Sequence, residues 1–326
     1  MNVSDIQMRK IFGEKLHVHI SLANFTTFKI GGPADYFIEA RTSSDLEDIL
    51  SKAILNNIPF FILGGGSNIL IGDKGIRGLV IKNNTQAITI RGAKGRFVRG
   101  TQSGIVYVEV DTGVMMNKLV RFTIDEGLQG LEMHLGLPGT VGGALYMNSK
   151  WMHPEGYVGD SVYQATLVAS DGSLRTVPRN HFHFGYDKSS LQQTKEIVTR
   201  VVFALKKSPK DQLWDIANKS IAYRRVTQPQ GVCSPGCTFR NITKAEALSF
   251  PTPNQTTSAG MLLDKAGVKG YTIGGAQVSP IHANFIINVN HARAVDVIQL
   301  IEYAREKVKR MFGITLQEEI VHIGEF

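Results

Sequence analysis

Cysteine is scarce in this chain of 326 residues, with only Cys233 and Cys237. Two thiols cannot build a disulfide framework, and with no second pair of close Cys or His ligands they do not make a zinc site, so a reducing compartment and no metal are expected. Also missing is any apolar run of the roughly 20 residues that a bilayer span requires. The first 20 residues lack the apolar stretch of a secretory signal. These absences lead to the expectation of a soluble, cytoplasmic protein, with no membrane partner and no internal repeat.

Charge is not balanced: 36 Lys and Arg against 28 Asp and Glu leave a formal +8. Such an excess suits phosphates, nucleotides or nucleic acid. The two basic clusters, Arg91, Lys94, Arg96 and Arg99, and Arg305, Lys307, Lys309 and Arg310, read as solvated faces, so no nucleic-acid partner is expected. Glycine is in excess, with 33 of the 326 residues against a usual share near 7%. That points to backbone lying close to a ligand.

Leu46, Ile49, Leu50 and Ala53 recur at helical spacing, and Ser44 with Glu47 makes a capping-box pattern, which predicts a helix from Ser44 to Ile54. A short apolar strand, Pro59 to Leu63, runs directly into Gly64-Gly65-Gly66-Ser67-Asn68. Further strands at Ile69 to Ile71 and Leu79 to Ile81 follow instead of a helix. This argues against a dinucleotide Rossmann unit, in which the glycines open a helix whose N-terminus holds the pyrophosphate.

Strand-rich stretches run from Ile88 to Val110 and from Val162 to Leu205, with a helix from Met115 to Glu126 between them. A second glycine loop, Gly136 to Gly143, is a plausible anion cradle like the first, because successive backbone N–H groups in glycine turns form concave anion sites. Ser67 and Asn68 add donors. His181-Phe182-His183-Phe184 reads as a strand with one polar face rather than a metal site. After a polar break at Ser208 to Asp211 comes a last domain. It contains a long helix with Val297, Ile301, Ala304, Val308 and Met311 on one face, stopped by Gly313, and ends in a strand, Ile314 to Ile323.

The loops arrive in a recognisable order. Asn24-Phe25-Thr26-Thr27-Phe28-Lys29-Ile30-Gly31-Gly32, Gly64 to Leu70, Gly130-Leu131-Glu132 with Gly136 to Gly143, and Gly236-Cys237-Thr238-Phe239-Arg240-Asn241 come first. Ala259 to Leu263, Gly274 to Ser279 with His282-Ala283-Asn284-Phe285, and Leu316 to Ile320 before Gly324 complete the series. Together they resemble the UDP-N-acetylenolpyruvoylglucosamine reductases, flavoenzymes of bacterial cell-wall synthesis, from about residue 22 to the end.

The resemblance implies an α+β chain. A two-subdomain FAD-binding fold of the vanillyl-alcohol-oxidase type would occupy residues 22–208, with subdomains of about 22–84 and 85–208. An α/β substrate domain at 209–326 would follow, and residues 1–21 would be an extension. It implies FAD and NADPH, a UDP-sugar substrate and a monomer. Gly64, Gly65, Gly66, Ser67 and Asn68, with Gly136, Gly139, Thr140, Gly142 and Gly143, would hold FAD. Cys237 would supply a proton, a role that suits a thiol of pKa about 8.5. Glu319 would act near the enolate, and alternation along a strand lets only one of Glu318 and Glu319 face the site. Arg224 and Asn241 would bind substrate.

Two departures stand out. In the family an arginine directly follows the tyrosine of the segment matching Phe184 to Ser189, where its fork can hold the substrate carboxylate. This chain has Asp187. Another cation in its place, a different cation ordered by Asp187, or a changed substrate or lost activity would each account for it, and the first, with Lys188 as substrate-binding cation, is adopted. The family's Met-Asn-Ala-Gly is here Met147-Asn148-Ser149-Lys150, and the stretch between Asn241 and Ala259 is long. A related flavin oxidase or dehydrogenase, or a non-catalytic nucleotide-sugar-binding protein, is the alternative reading.

Overall fold

The computed structural model describes residues 5–98 and 101–326, without the side chains of 95–103. Arg96 and Arg99 of the first basic cluster therefore lie outside the described residues. Residue contacts divide the chain into two compact units. The first comprises the segment through His17, Phe37–Gly65 and Gly78–Arg224, and the second comprises Val18–Tyr36, Gly66–Arg77 and Arg225–Phe326.

The first unit is built on an antiparallel sheet in the order Leu174–Pro178, Val162–Val168, Ile197–Lys207, Thr101–Asp111, Ile88–Val98, with Leu128–Gln129 also pairing to Ile197–Lys207. Alternate residues Val106, Val108 and Val110 turn inward, as a strand with one covered face requires. The helix Met116–Asp125 lays Met116, Leu119, Val120 and Ile124 into the same core. In the same unit, Phe60–Leu63 runs parallel to Leu79–Lys82, and the helix Ser43–Leu55 buries the expected Leu46, Ile49, Leu50 and Ala53.

The N-cap of that helix lies two residues before the Ser44 that the capping-box pattern marked. Thr42 is the N-cap, its hydroxyl accepting from Asp45 N at 3.1 Å. Glu47 instead accepts from Thr199 Oγ1 at 2.9 Å and pairs with Arg200 at 3.1 Å.

In the second unit a three-stranded antiparallel meander, Thr272–Ile273, Ala276–Val278 and Ile286–Asn288, shares a core with the helices Ala259–Lys265 and Ala294–Phe312. Asp73 caps the longer helix, accepting from Ala294 N at 2.7 Å and Val295 N at 3.2 Å. Gly313, at φ +76°, ends it. Ile69–Ile71 and Val321–Ile323 form a parallel pair.

The contacts draw their boundaries elsewhere than 21/22 and 208/209. Phe28, Ile30 and Leu70 share the core of the C-terminal residues. The helix Lys210–Thr227 buries Leu213 and Ala217 in the first core, so it joins the first unit as far as Arg224. Two expected strands are also revised. Only Val321–Ile323 is a strand at the C-terminal end, and Arg179–Phe182 is a single helical turn, closed by His183 at φ +42°. Phe182 is buried there and stacks on Phe184 at 5.2 Å, while His181 pairs with Glu196 at 2.9 Å. Among the described residues, no helix is long and apolar enough to cross a membrane.

Candidate active site

The two glycine loops meet within the first unit. A Cβ on Gly64 would lie 2.6 Å from Thr140 Oγ1, and one on Gly65 would lie 2.6 Å from Gly139 Cα. Backbone this close admits no side chain, so only main-chain groups meet at the contact. Thr140 caps the helix Val141–Met147, and Gly136 N donates to Asn117 Oδ1 at 2.6 Å. Gly142 N donates to Thr112 O at 2.8 Å, and Gly143 N to Thr140 Oγ1 at 3.4 Å.

One cation at this cradle went unnoticed in the sequence. Lys82 stands opposite Leu63 in the parallel pair, and its ammonium donates to Gly64 O. Burial pushes its pKa below the ordinary lysine value, against an opposing pull from Glu39. Gly66 and Asn68 group with the second unit. Gly66 O accepts from Thr27 N at 3.0 Å, and Asn68 Nδ2 donates to Glu319 O at 3.2 Å. For Ser67 no contact bears on a role.

Cys237 and Glu319 are brought onto neighbouring backbone. Cys237 bridges to Phe285, and the next residue, Thr238, donates through its N to Asn284 O at 2.7 Å and accepts at its carbonyl from Glu319 N at 2.8 Å. Asn284 clamps Phe239 on both backbone groups at 2.8 Å. Of the two adjacent glutamates, Glu318 pairs with His322 at 2.7 Å and with Arg305. Burial raises the Glu318 pKa, but bonds from His322 and Arg305 outweigh it and hold the group below the usual carboxylate range. Asn241 spends its amide oxygen on Ala259 N at 3.1 Å.

Arg224 lies beside the second glycine loop, since a Cβ on Gly136 would fall 2.9 Å from its Cδ. Its guanidinium stands 4.3 Å over the Trp151 ring, and Tyr223 meets the same ring edge-on at 5.6 Å. His134 is fully buried beside it, with neither ring nitrogen paired among the described residues. Burial, then the nearby Arg224 charge, pushes its pKa from 6.5 to about 4.

The departures at 150 and 187 are partners. Lys150 Nζ lies 2.7 and 2.6 Å from the two oxygens of Asp187, a carboxylate only 3% exposed. The same ammonium stands 3.6 Å over the Tyr186 ring. Lys188, by contrast, is exposed and closes a tight turn with Gly185 through its backbone. The cation beside Asp187 is therefore Lys150, 37 positions away.

A sequence model of an FAD-binding domain matches residues 34–178, and the C-terminal domain model of UDP-N-acetylenolpyruvoylglucosamine reductase matches 228–323. A VAO-type flavoprotein from Myceliophthora thermophila aligns over 95% of this chain and 85% of its own, at TM-score 0.54 and 11% identity, which speaks to fold alone. The chain thus has an α+β, FAD-binding fold of the vanillyl-alcohol-oxidase type.

Relatives named UDP-N-acetylenolpyruvoylglucosamine reductase narrow this further. The one from Halalkalibacterium halodurans is 35% identical over 95% of both chains, and that from Anoxybacillus flavithermus is 36% identical over 93% of this chain and 92% of its own. The crystal structure of UDP-N-acetylenolpyruvylglucosamine reductase (MurB) from Thermus caldophilus superposes at TM-score 0.74 with 30% identity, covering 94% of this chain and 99% of that one. The chain belongs to the UDP-N-acetylenolpyruvoylglucosamine reductase family.

Proposed function

We propose that this protein is an FAD-dependent oxidoreductase that uses NADPH to reduce the enolpyruvyl ether of a UDP-N-acetylglucosamine to UDP-N-acetylmuramate, supplying peptidoglycan synthesis. The observation that carries the reading is the pairing of Glu319 N with Thr238 O at 2.8 Å. It sets Glu319 against the residue after Cys237, in a chain of this family. Residues 22–208 hold the cofactor and 209–326 the substrate, in a cytoplasmic monomer.

FAD, when bound and reduced by NADPH, would supply a hydride to the terminal vinyl carbon. The residues at 64–68 and 136–143 hold and orient it. Electron density then builds on the carbon beside the carboxylate, and Cys237 Sγ–H gives its proton to that carbon, recovering it from solvent. Glu319, as the carboxylic acid, donates a hydrogen bond to the developing enolate, while Arg224 and Asn241 position the substrate. With Asp187 already neutralised by Lys150, no bare carboxylate at 187 stands against the substrate's own; Lys188 is the less supported cation.

The purified protein should be yellow and should consume NADPH beyond the one equivalent that reduces its flavin only with the enolpyruvyl sugar present. Cys237→Ala should cut turnover by about 10²–10⁴-fold, the usual contribution of a general acid, while flavin reduction by NADPH in the absence of sugar proceeds at the normal rate. Protein that takes up no flavin ends this reading. Rapid flavin reduction by a different alcohol or sugar, with no response to the enolpyruvyl sugar, selects a related oxidase instead.

A further inference from the structure

We infer that Lys82 is a positive countercharge for the cofactor's diphosphate, held at the base of the glycine cradle by its bond to the Gly64 carbonyl. The inference rests on the FAD reading above and adds a residue to it.

The strand Ile76–Asn83 buries Leu79, Val80 and Ile81, and Lys82 breaks that apolar run. Its register opposite Leu63 puts it beside the residue from which the first loop departs. Its ammonium bonds to Gly64 O. That glycine's missing side chain would otherwise occupy the space of Thr140 Oγ1. The cation therefore sits where the two loops touch.

A single carbonyl is a poor match for a partly buried ammonium, which has three donors and a full charge to offset. Lys150, similarly enclosed, has a carboxylate at 2.6 Å. Among the described residues Lys82 has no ion-pair partner, and Glu39 acts on it only at longer range. Burial depresses its pKa accordingly. A neutral donor would serve the carbonyl alone without that cost. What the charge answers is an anion arriving at the same loops, and the doubly charged diphosphate of FAD is the part of the cofactor that glycine turns accept.

The test compares two flavins on the same apo-protein. FAD carries the diphosphate, and riboflavin carries the ring system without any phosphate. Titrations followed by flavin fluorescence should give an FAD Kd about 10- to 100-fold weaker for Lys82→Met, the loss of one charge-assisted contact, with the riboflavin Kd unchanged. Lys82→Arg should stay within a few-fold of the parent for both. On the unaltered protein, raising the salt should weaken FAD far more than riboflavin, a readout that needs no variant to fold. Unchanged FAD affinity in Lys82→Met, equal loss of both flavins, or salt-insensitive FAD binding would each overturn the inference. Unaltered protein that binds neither flavin would instead remove the cofactor reading beneath it.

Discussion

His134 shows how a single residue can set an acid limit. Its imidazole is fully buried with both nitrogens unpaired among the described residues, and its pKa is pushed from 6.5 to about 4, first by burial and then by Arg224. The folded state thus refuses a proton that the unfolded chain accepts. Stability is unaffected above pH 6.5, falls as pH drops from 6.5 toward 4, and levels off below. A gap of this size corresponds to about 3 kcal/mol. His134→Leu has similar volume and no buried nitrogens, so it should lose about that much less stability than the parent between pH 7 and 4 in urea titrations. Parallel pH curves for the two proteins would assign the acid sensitivity to another group.

Between elements, the Lys150–Asp187 pair ties the strand Lys150–Met152 to the turn before the helix Leu191–Thr194. Removing one member of a buried pair leaves the other uncompensated, at a cost of about 3–5 kcal/mol, whereas replacing both with apolar groups is often neutral. Lys150→Met should therefore destabilise by about that much, and Lys150→Met with Asp187→Leu should recover most of it. Chemical denaturation of the four members of the cycle checks this, and additive losses would mean that the two side chains do not act together.

The pair also marks the limit of what the sequence could tell. The helices Ser43–Leu55 and Ala294–Phe312 were legible because a 3.6-residue period survives tertiary packing. The order of the motifs singled out Cys237 and Glu319, whose segments the fold sets on neighbouring backbone. Lys150 was not, because each of the two departures looks local until folding brings together positions 37 apart. Lys82 was hidden in the same way, since a lone lysine after an apolar run reads as a solvated end. The C-terminal strand was overdrawn because backbone at Gln317 and Glu319 bonds to Arg240 and Thr238 in one isolated bridge rather than in a continuous ladder.

For the whole molecule, a cofactor bound only by the folded state should raise stability by mass action. FAD at about 100 times its Kd should add about 2.7 kcal/mol, read as an upward shift of the thermal midpoint with FAD concentration. A midpoint indifferent to FAD would separate cofactor binding from folding of the first unit.

The parallel pair of Ile69–Ile71 with Val321–Ile323 has a consequence for synthesis on the ribosome. Asn68 waits for Glu319 across 251 positions, so during translation its neighbours Ile69 to Ile71 lack their strand partner until nearly all of the second unit has emerged. Contacts so distant in sequence form late. Until then those three apolar residues are an unpaired template, open to any passing strand. The nascent chain is most vulnerable to misassociation in that interval, and a chaperone that shields this segment would act before the last strand arrives.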